Sequence, residues 1–184
     1  MFRCLLQKIA IMLDAIEISY MIIGSQATLL HGEPRLTQDI DVTLGSGPDR
    51  LPDLLSILRR ESWKVLVDDP EQFVGDTMVL PCLDTESQIR VDCIFSFSTY
   101  EAEAIARAVP VELNGTTINY ASAEDLIIHK IVAGRPRDLE DVRGVLLKNP
   151  DVGLSYIEDW PAQFDASLGE AFSRRFRDLR DAMN

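Results

Sequence analysis

The segment that most limits how this chain can fold is Gln38-Asp39-Ile40-Asp41-Val42-Thr43-Leu44. Read as a strand, it turns Asp39 and Asp41 to one side and Ile40, Val42 and Leu44 to the other. The apolar side can enter a core. On the opposite side, two carboxylates one residue apart repel each other and lose hydration unless something positive sits between them. A divalent metal is the usual remedy, and hard carboxylate oxygens suit Mg2+ or Mn2+. The segment therefore points to phosphoryl or nucleotidyl chemistry.

An isolated Asp-x-Asp is most often a solvated strand face, so its neighbours decide its weight. Tyr20-Met21-Ile22-Ile23 reads as a buried strand stopped by Gly24-Ser25. A glycine there lets the backbone approach a ligand closely. The N–H groups beyond it make a phosphate cradle, to which Ser25 adds a hydroxyl. Further on, Arg90 to Phe95 alternates and sets Asp92 on the face opposite Val91, Cys93 and Phe95. If this strand neighbours the Asp39 strand, three carboxylates converge. Nucleotidyl transfer needs such an arrangement, with two metals about 3.5–4 Å apart bridged by acidic residues. Asp39 and Asp41 would bind both metals, while Asp92 would complete the second site and take or direct the proton of the attacking hydroxyl.

Around these strands the chain alternates helical and extended patterns. Helices are expected over Leu5 to Ile18, Gln26 to His31, Asp49 to Glu61 and Tyr100 to Ala108. Further strands are expected at Trp63 to Val67, Met78 to Leu83 and Gln88 to Phe95, with Asp68 to Gly75 a polar loop. Asn114-Gly115 signals a hairpin between Val111 to Leu113 and Thr117 to Tyr120. Ser122 opens a helix with a capping box to Asp125, closed by Gly134 and Pro136. Helices over Arg137 to Leu147, Gly153 to Trp160 and Phe164 to Met183 follow. The reading is an α/β (α+β) chain, with a core over 1–121 and a helical C-terminal part over 122–184.

Charge narrows the partners. The 184 residues carry a net charge of −12, which repels phosphate backbones and argues against general DNA binding. Local basic clusters survive, Arg135 with Arg137 and Arg143, and Arg174-Arg175-Phe176-Arg177. They leave room for small anionic substrates escorted by metal, or a structured RNA gripped locally. The apolar stretch from Leu5 to Ile23 is interrupted by Lys8, Asp14 and Glu17, so no membrane span is expected, and no signal-peptide cleavage site is seen. Cys4, Cys82 and Cys93 show no CxxC spacing, and neither they nor His31 and His129 have zinc spacing. Free thiols in a cytoplasmic protein are the expectation.

The pattern Ile22-Ile23-Gly24-Ser25, Asp39-Ile40-Asp41-Val42 and Val91-Asp92 resembles the polymerase-β-type nucleotidyltransferase superfamily. A closer resemblance runs through Gly24-Ser25-Gln26-Ala27, then His31-Gly32-Glu33-Pro34-Arg35-Leu36-Thr37-Gln38-Asp39-Ile40-Asp41. It continues in Ala123-Glu124-Asp125-Leu126, Lys130, Ala133-Gly134-Arg135 and Asp138-x-x-Asp141. Together these are similar to bacterial nucleotidyltransferases related to type IV abortive-infection toxins, over about Ile22 to Val142.

The resemblance implies a mixed β-sheet flanked by helices, and Mg2+-dependent (or Mn2+-dependent) transfer of a nucleoside monophosphate from a nucleoside triphosphate to an acceptor hydroxyl, releasing pyrophosphate. It implies that Gly24, Ser25, Lys130 and Arg135 meet the nucleotide. Arg35, Thr37, Asp138 and Asp141 are further candidates for the substrate cleft. The acceptor is open among a small molecule, a protein and a tRNA end. Two other readings stand beside the enzyme: a non-catalytic nucleotide- or protein-binding module on the same fold, and an RNA-modifying toxin of a toxin–antitoxin pair.

Overall fold

Tyr20–Ile23 forms a strand apolar on both faces, and the computed structural model, which describes residues 2–34, 37–96 and 98–183, shows why it must be. From the N-terminus, helix α1 (Phe2–Ala15) leads into strand β1 (Tyr20–Ile23), short helix α2 (Gly24–His31) and strand β2 (Asp39–Leu44). Tyr20 and Ile22 enter one hydrophobic cluster while Met21 and Ile23 enter another. The sheet is thus covered on both sides, and a strand near its middle needs apolar residues at every position.

Helix α3 (Leu51–Arg60), strand β3 (Lys64–Val65), helix α4 (Pro70–Thr77) and the antiparallel pair β4 (Val79–Asp84) and β5 (Ile89–Phe95) follow. Helix α5 (Thr99–Ala106) precedes a hairpin of β6 (Val109–Leu113) and β7 (Thr116–Tyr120), turned at Asn114 and Gly115 with both φ angles positive. The seven strands form one mixed sheet in the order β3-β4-β5-β2-β1-β7-β6. β1 runs antiparallel to β2 and parallel to β7, and β2 runs parallel to β5.

One face is covered by α1 and α3, whose Leu5, Ile9, Leu13, Leu54 and Leu58 pack on Ile40, Val42, Leu44, Val91 and Phe95. On the other lie helices α6 (Ala123–Ala133), α7 (Pro136–Lys148), α8 (Leu154–Leu168) and α9 (Phe172–Asp181). Their Leu126, Ile128, Val142, Val145, Ile157 and Phe176 meet Met21, Ile23 and Ala27. The apolar side of β2 faces the first cluster, so Asp39 and Asp41 face the side where α6 and α7 approach.

Three local expectations change. Asp68 to Gly75 is not all loop, because α4 begins at Pro70 with Asp69 accepting from the N–H of Gln72 at 3.0 Å. Val74 is its single buried residue, so the sequence carries no periodic apolar stripe to announce it. The last two helices break at Gly169, whose φ is +70°, rather than between Trp160 and Phe164. Pro161 sits within α8, and Asp165 reaches forward to accept from the N–H groups of Phe172 and Ser173. The reciprocal capping box lies at Ser98 and Glu101. At Ser122, the side chain accepts from Asp125 N–H and donates to Asp125 Oδ2, without the return bond from Asp125 to the Ser122 backbone.

Candidate active site

Strand register assembles the acidic face. Across the parallel β2–β5 pair Asp41 stands beside Asp92, and Asp39 beside Arg90. Across the antiparallel β1–β2 pair, Ile23 stands beside Asp41. The next residue, Gly24, therefore turns away directly in front of the Asp41 carboxylate. Its φ is +60°, and a Cβ built there would overlap Asp41 Oδ2. Both the left-handed backbone and the close approach require glycine. Gly24→Ala is expected to destabilise the protein by about 2–4 kcal/mol and to displace Asp41, as read by urea denaturation.

Each aspartate is held differently. Thr37 Oγ1 donates to Asp39 Oδ1 at 3.0 Å. Arg90 Nε donates to Asp92 Oδ1 at 2.8 Å. Among the described residues Asp41 has no such partner, and burial, followed by the charges of Asp39 and Asp92, pushes its pKa up to about 6.

A cavity of about 900 Å3 opens over these residues. Gly24, Ser25, Thr37, Asp39, Asp41 and Asp92 line its sheet side. Its helical side carries Lys130 from α6 and Arg135, Arg137 and Asp138 from the start of α7. Lys130 is 3% exposed, and its ammonium donates to Asp138 Oδ1 at 3.3 Å and Asp141 Oδ2 at 2.5 Å. Arg135 Nε donates to Asp138 Oδ2 at 2.5 Å while its side chain stays 76% exposed. Burial alone would raise the Asp138 pKa, but Arg135 and Lys130 outweigh it and hold that carboxyl below its usual range.

The structure thus brings Gly24, Ser25, Thr37, Asp39, Asp41, Asp92, Lys130, Arg135 and Asp138 to one cavity. Asp141 reaches it through Lys130. Arg35 lies outside the described residues. Sequence reasoning passed over Arg90 and named Arg137 only as part of a basic cluster. Arg90 shares the strand face of Asp92, a relation already present in the Arg90-x-Asp92 alternation. Arg137 faces the cavity because Gly134 and Pro136 end α6 and restart the chain as α7 beside it.

The donor set fits a hard divalent cation. Three carboxylates lie on one face, and the pKa of Asp41 is raised by burial first and then by the charges of Asp39 and Asp92, both of which a bound cation would offset. Among the described residues no group of three acidic, His or Cys side chains is placed to hold an ion as it stands, so the three carboxylates would draw together around one. A cation held by Asp39, Asp41 and Asp92 would share its shell with phosphate oxygens, the habit of Mg2+.

A family model described as "Nucleotidyltransferase of unknown function (DUF6036)" matches residues 2–155. No curated protein matches the sequence. Among solved structures, ANT(2")-Ia in complex with adenylyl-2"-tobramycin is similar at 20% identity and a TM-score of 0.60, over 90% of this chain and 98% of that one. An antigenic nucleotidyltransferase-like protein from Paracoccidioides brasiliensis is similar at 19% identity and a TM-score of 0.58, over 92% and 91%. The lincosamide antibiotic adenylyltransferase LnuA, lincomycin-bound, is similar at 13% identity and a TM-score of 0.52, over 75% and 92%. At these identities the likeness is one of fold.

Proposed function

The chain belongs to the DUF6036 family of nucleotidyltransferases, and from that premise we propose that it moves a nucleoside monophosphate from a nucleoside triphosphate to an acceptor hydroxyl in the Asp39–Asp41–Asp92 cleft. The observation that carries this reading is the register placing Asp41 beside Asp92 with Gly24 packed against Asp41.

In the proposed reaction the acceptor oxygen bonds the α-phosphorus. The bond from that phosphorus to the bridging oxygen breaks, and pyrophosphate leaves with its electrons. Asp39, Asp41 and Asp92 would hold a divalent cation, which when bound would supply charge neutralisation for the phosphates and the leaving oxygen. The backbone beyond Gly24 and the hydroxyl of Ser25 cradle the phosphate tail. Arg90 takes Oδ1 of Asp92, which leaves Oδ2 to receive the hydroxyl proton. Lys130 is buried between Asp138 and Asp141, whereas Arg135, although it also bonds Asp138, keeps an exposed side chain. The cations facing a triphosphate are therefore Arg135 and Arg137, with Lys130 and Asp138 fixing the corner from which they project.

Calorimetry with Mg2+ and each ribonucleoside triphosphate is the first test, expected to show binding that Asp39→Ala abolishes. Pyrophosphate release with a labelled acceptor from cell extract is the second. Binding with no turnover on any acceptor would establish a non-catalytic module instead.

A further inference from the structure

A second cavity, of about 530 Å3, lies between α5, α6 and α8. Tyr100, Trp160 and Phe164 build its aromatic wall, with Tyr100 at 5.1 Å and 62° from Trp160 and at 5.2 Å and 84° from Phe164. Ile128 and Val132 of α6 complete it. Its chemistry is opposite to that of the carboxylate cleft. Among the described lining residues the only formal charge is that of Glu101, whose Oε2 already accepts from the N–H and Oγ of Ser98. None of the described lining residues is a cation that could meet a phosphate.

His129 joins the two. It lines both cavities, and its ring stands 5.6 Å from Tyr100. Burial pushes its imidazole below the ordinary histidine pKa, so it is neutral at pH 7. Its Nε2 is buried and, among the described residues, has no hydrogen-bond partner. Nearly all buried polar atoms in folded proteins are partnered, and a small turn of this ring towards the cavity would let a ligand group supply the partner.

Position says which ligand. The phosphate cradle at Gly24 and Ser25 follows β1, on one side of Asp41. Asp92, the proposed proton acceptor, is on β5 at the other side, and the chain leaving β5 runs directly to Ser98 and Tyr100. The aromatic cavity therefore adjoins the acceptor side of the cleft and lies away from the triphosphate tail.

We propose that this cavity binds the acceptor, a small molecule with a flat apolar ring that docks against Tyr100, Trp160 and Phe164 and extends its hydroxyl past His129 towards Asp92. The inference rests on the reaction proposed above. A flat ring extends the edge-to-face aromatic wall, a polar group beside the ring satisfies His129 Nε2, and a polycationic sugar finds no uncommitted carboxylate. The transfer step itself, with its bonds and proton, is unchanged.

The test uses the full chain, 2-phenylethanol and tryptophol as probes, and Val132→Trp, a substitution at a position 38% exposed, to fill the cavity. Ligand-observed NMR should show both alcohols binding the wild type, and at least about tenfold weaker binding to Val132→Trp. Affinity for Mg2+ with triphosphate should be unchanged in that variant, while labelled-nucleotide transfer to extract acceptors falls by a similar factor. Leu168→Trp, at the rim, should reproduce the effect should Val132→Trp alter the fold.

Absence of alcohol binding, or equal binding to both proteins, overturns the proposal. So does weaker triphosphate binding in Val132→Trp, because the cavity would then hold the nucleotide base. Alcohol binding by a wild-type protein that binds no nucleotide overturns the transferase reading, and the acceptor role with it. Undiminished transfer in Val132→Trp overturns the acceptor cavity alone.

Discussion

Asp41→Asn should lower nucleotide transfer by roughly three orders of magnitude and at the same time make the protein more stable. Among the described residues no side chain hydrogen-bonds Asp41 to support its charge, and its pKa sits at about 6 against an ordinary 3.8. Between those values the folded state binds more protons than the unfolded one, so wild-type stability falls as pH rises through this window. The full penalty, present above pH 6, is about 3 kcal/mol. The variant never ionises at this position and escapes it. Its advantage should be largest above pH 6.5 and vanish below about pH 4, as measured by urea denaturation across that range. Adding Mg2+ should raise the melting temperature of the wild type and leave that of the variant in place. A variant less stable than wild type at pH 7.5 would refute the account of Asp41 as a strained carboxylate.

Lys130→Met should be the most damaging single change on the helical side, costing about 3 kcal/mol at neutral pH. Methionine fills the space but removes the ammonium buried between Asp138 and Asp141. Asp138 keeps Arg135, yet loses part of what holds its pKa below the ordinary range. A carboxylate with a depressed folded pKa gives stability that is present above its unfolded pKa and lost as pH falls. The difference between variant and wild type should therefore be greatest at pH 7 and shrink towards pH 4. Combining Lys130→Met with Asp141→Asn should recover part of the loss, a coupling that a double-mutant cycle measures. Full additivity of the two changes would refute the pairing.

The two halves of the cleft differ in how far the sequence discloses them. Ile40, Val42 and Leu44 against Asp39 and Asp41 state their own orientation, because strand period and burial use the same alternation. Asp92 beside Asp41 follows once β5 is given β2 as its neighbour, although that pairing joins residues far apart in the chain. Lys130 is harder to read. A lysine on a helix reads as a solvated or ligand-facing cation, and only the packing of α6 on α7 shows that Asp138 and Asp141 enclose it. Helix α4 stays hidden because Val74 alone is buried from it. Helices α8 and α9 are misplaced because Asp165 joins them through space across the Gly169 break. The aromatic cavity is invisible in the sequence, since Tyr100, His129 and Trp160 belong to three helices.

The parallel pairing of β1 with β7 also dictates an order of events at the ribosome. Ile22 finds Val42 on one side soon after synthesis, but Tyr120 on the other emerges about a hundred residues later. At roughly 5–20 residues per second, one edge of β1 waits roughly 5–20 seconds for its partner. The three aspartates are made before any of Lys130, Arg135 and Arg137, so the nascent chain carries its acidic face before the cations that will oppose it. On the ribosome the cleft cannot close before α6 and α7 have been made.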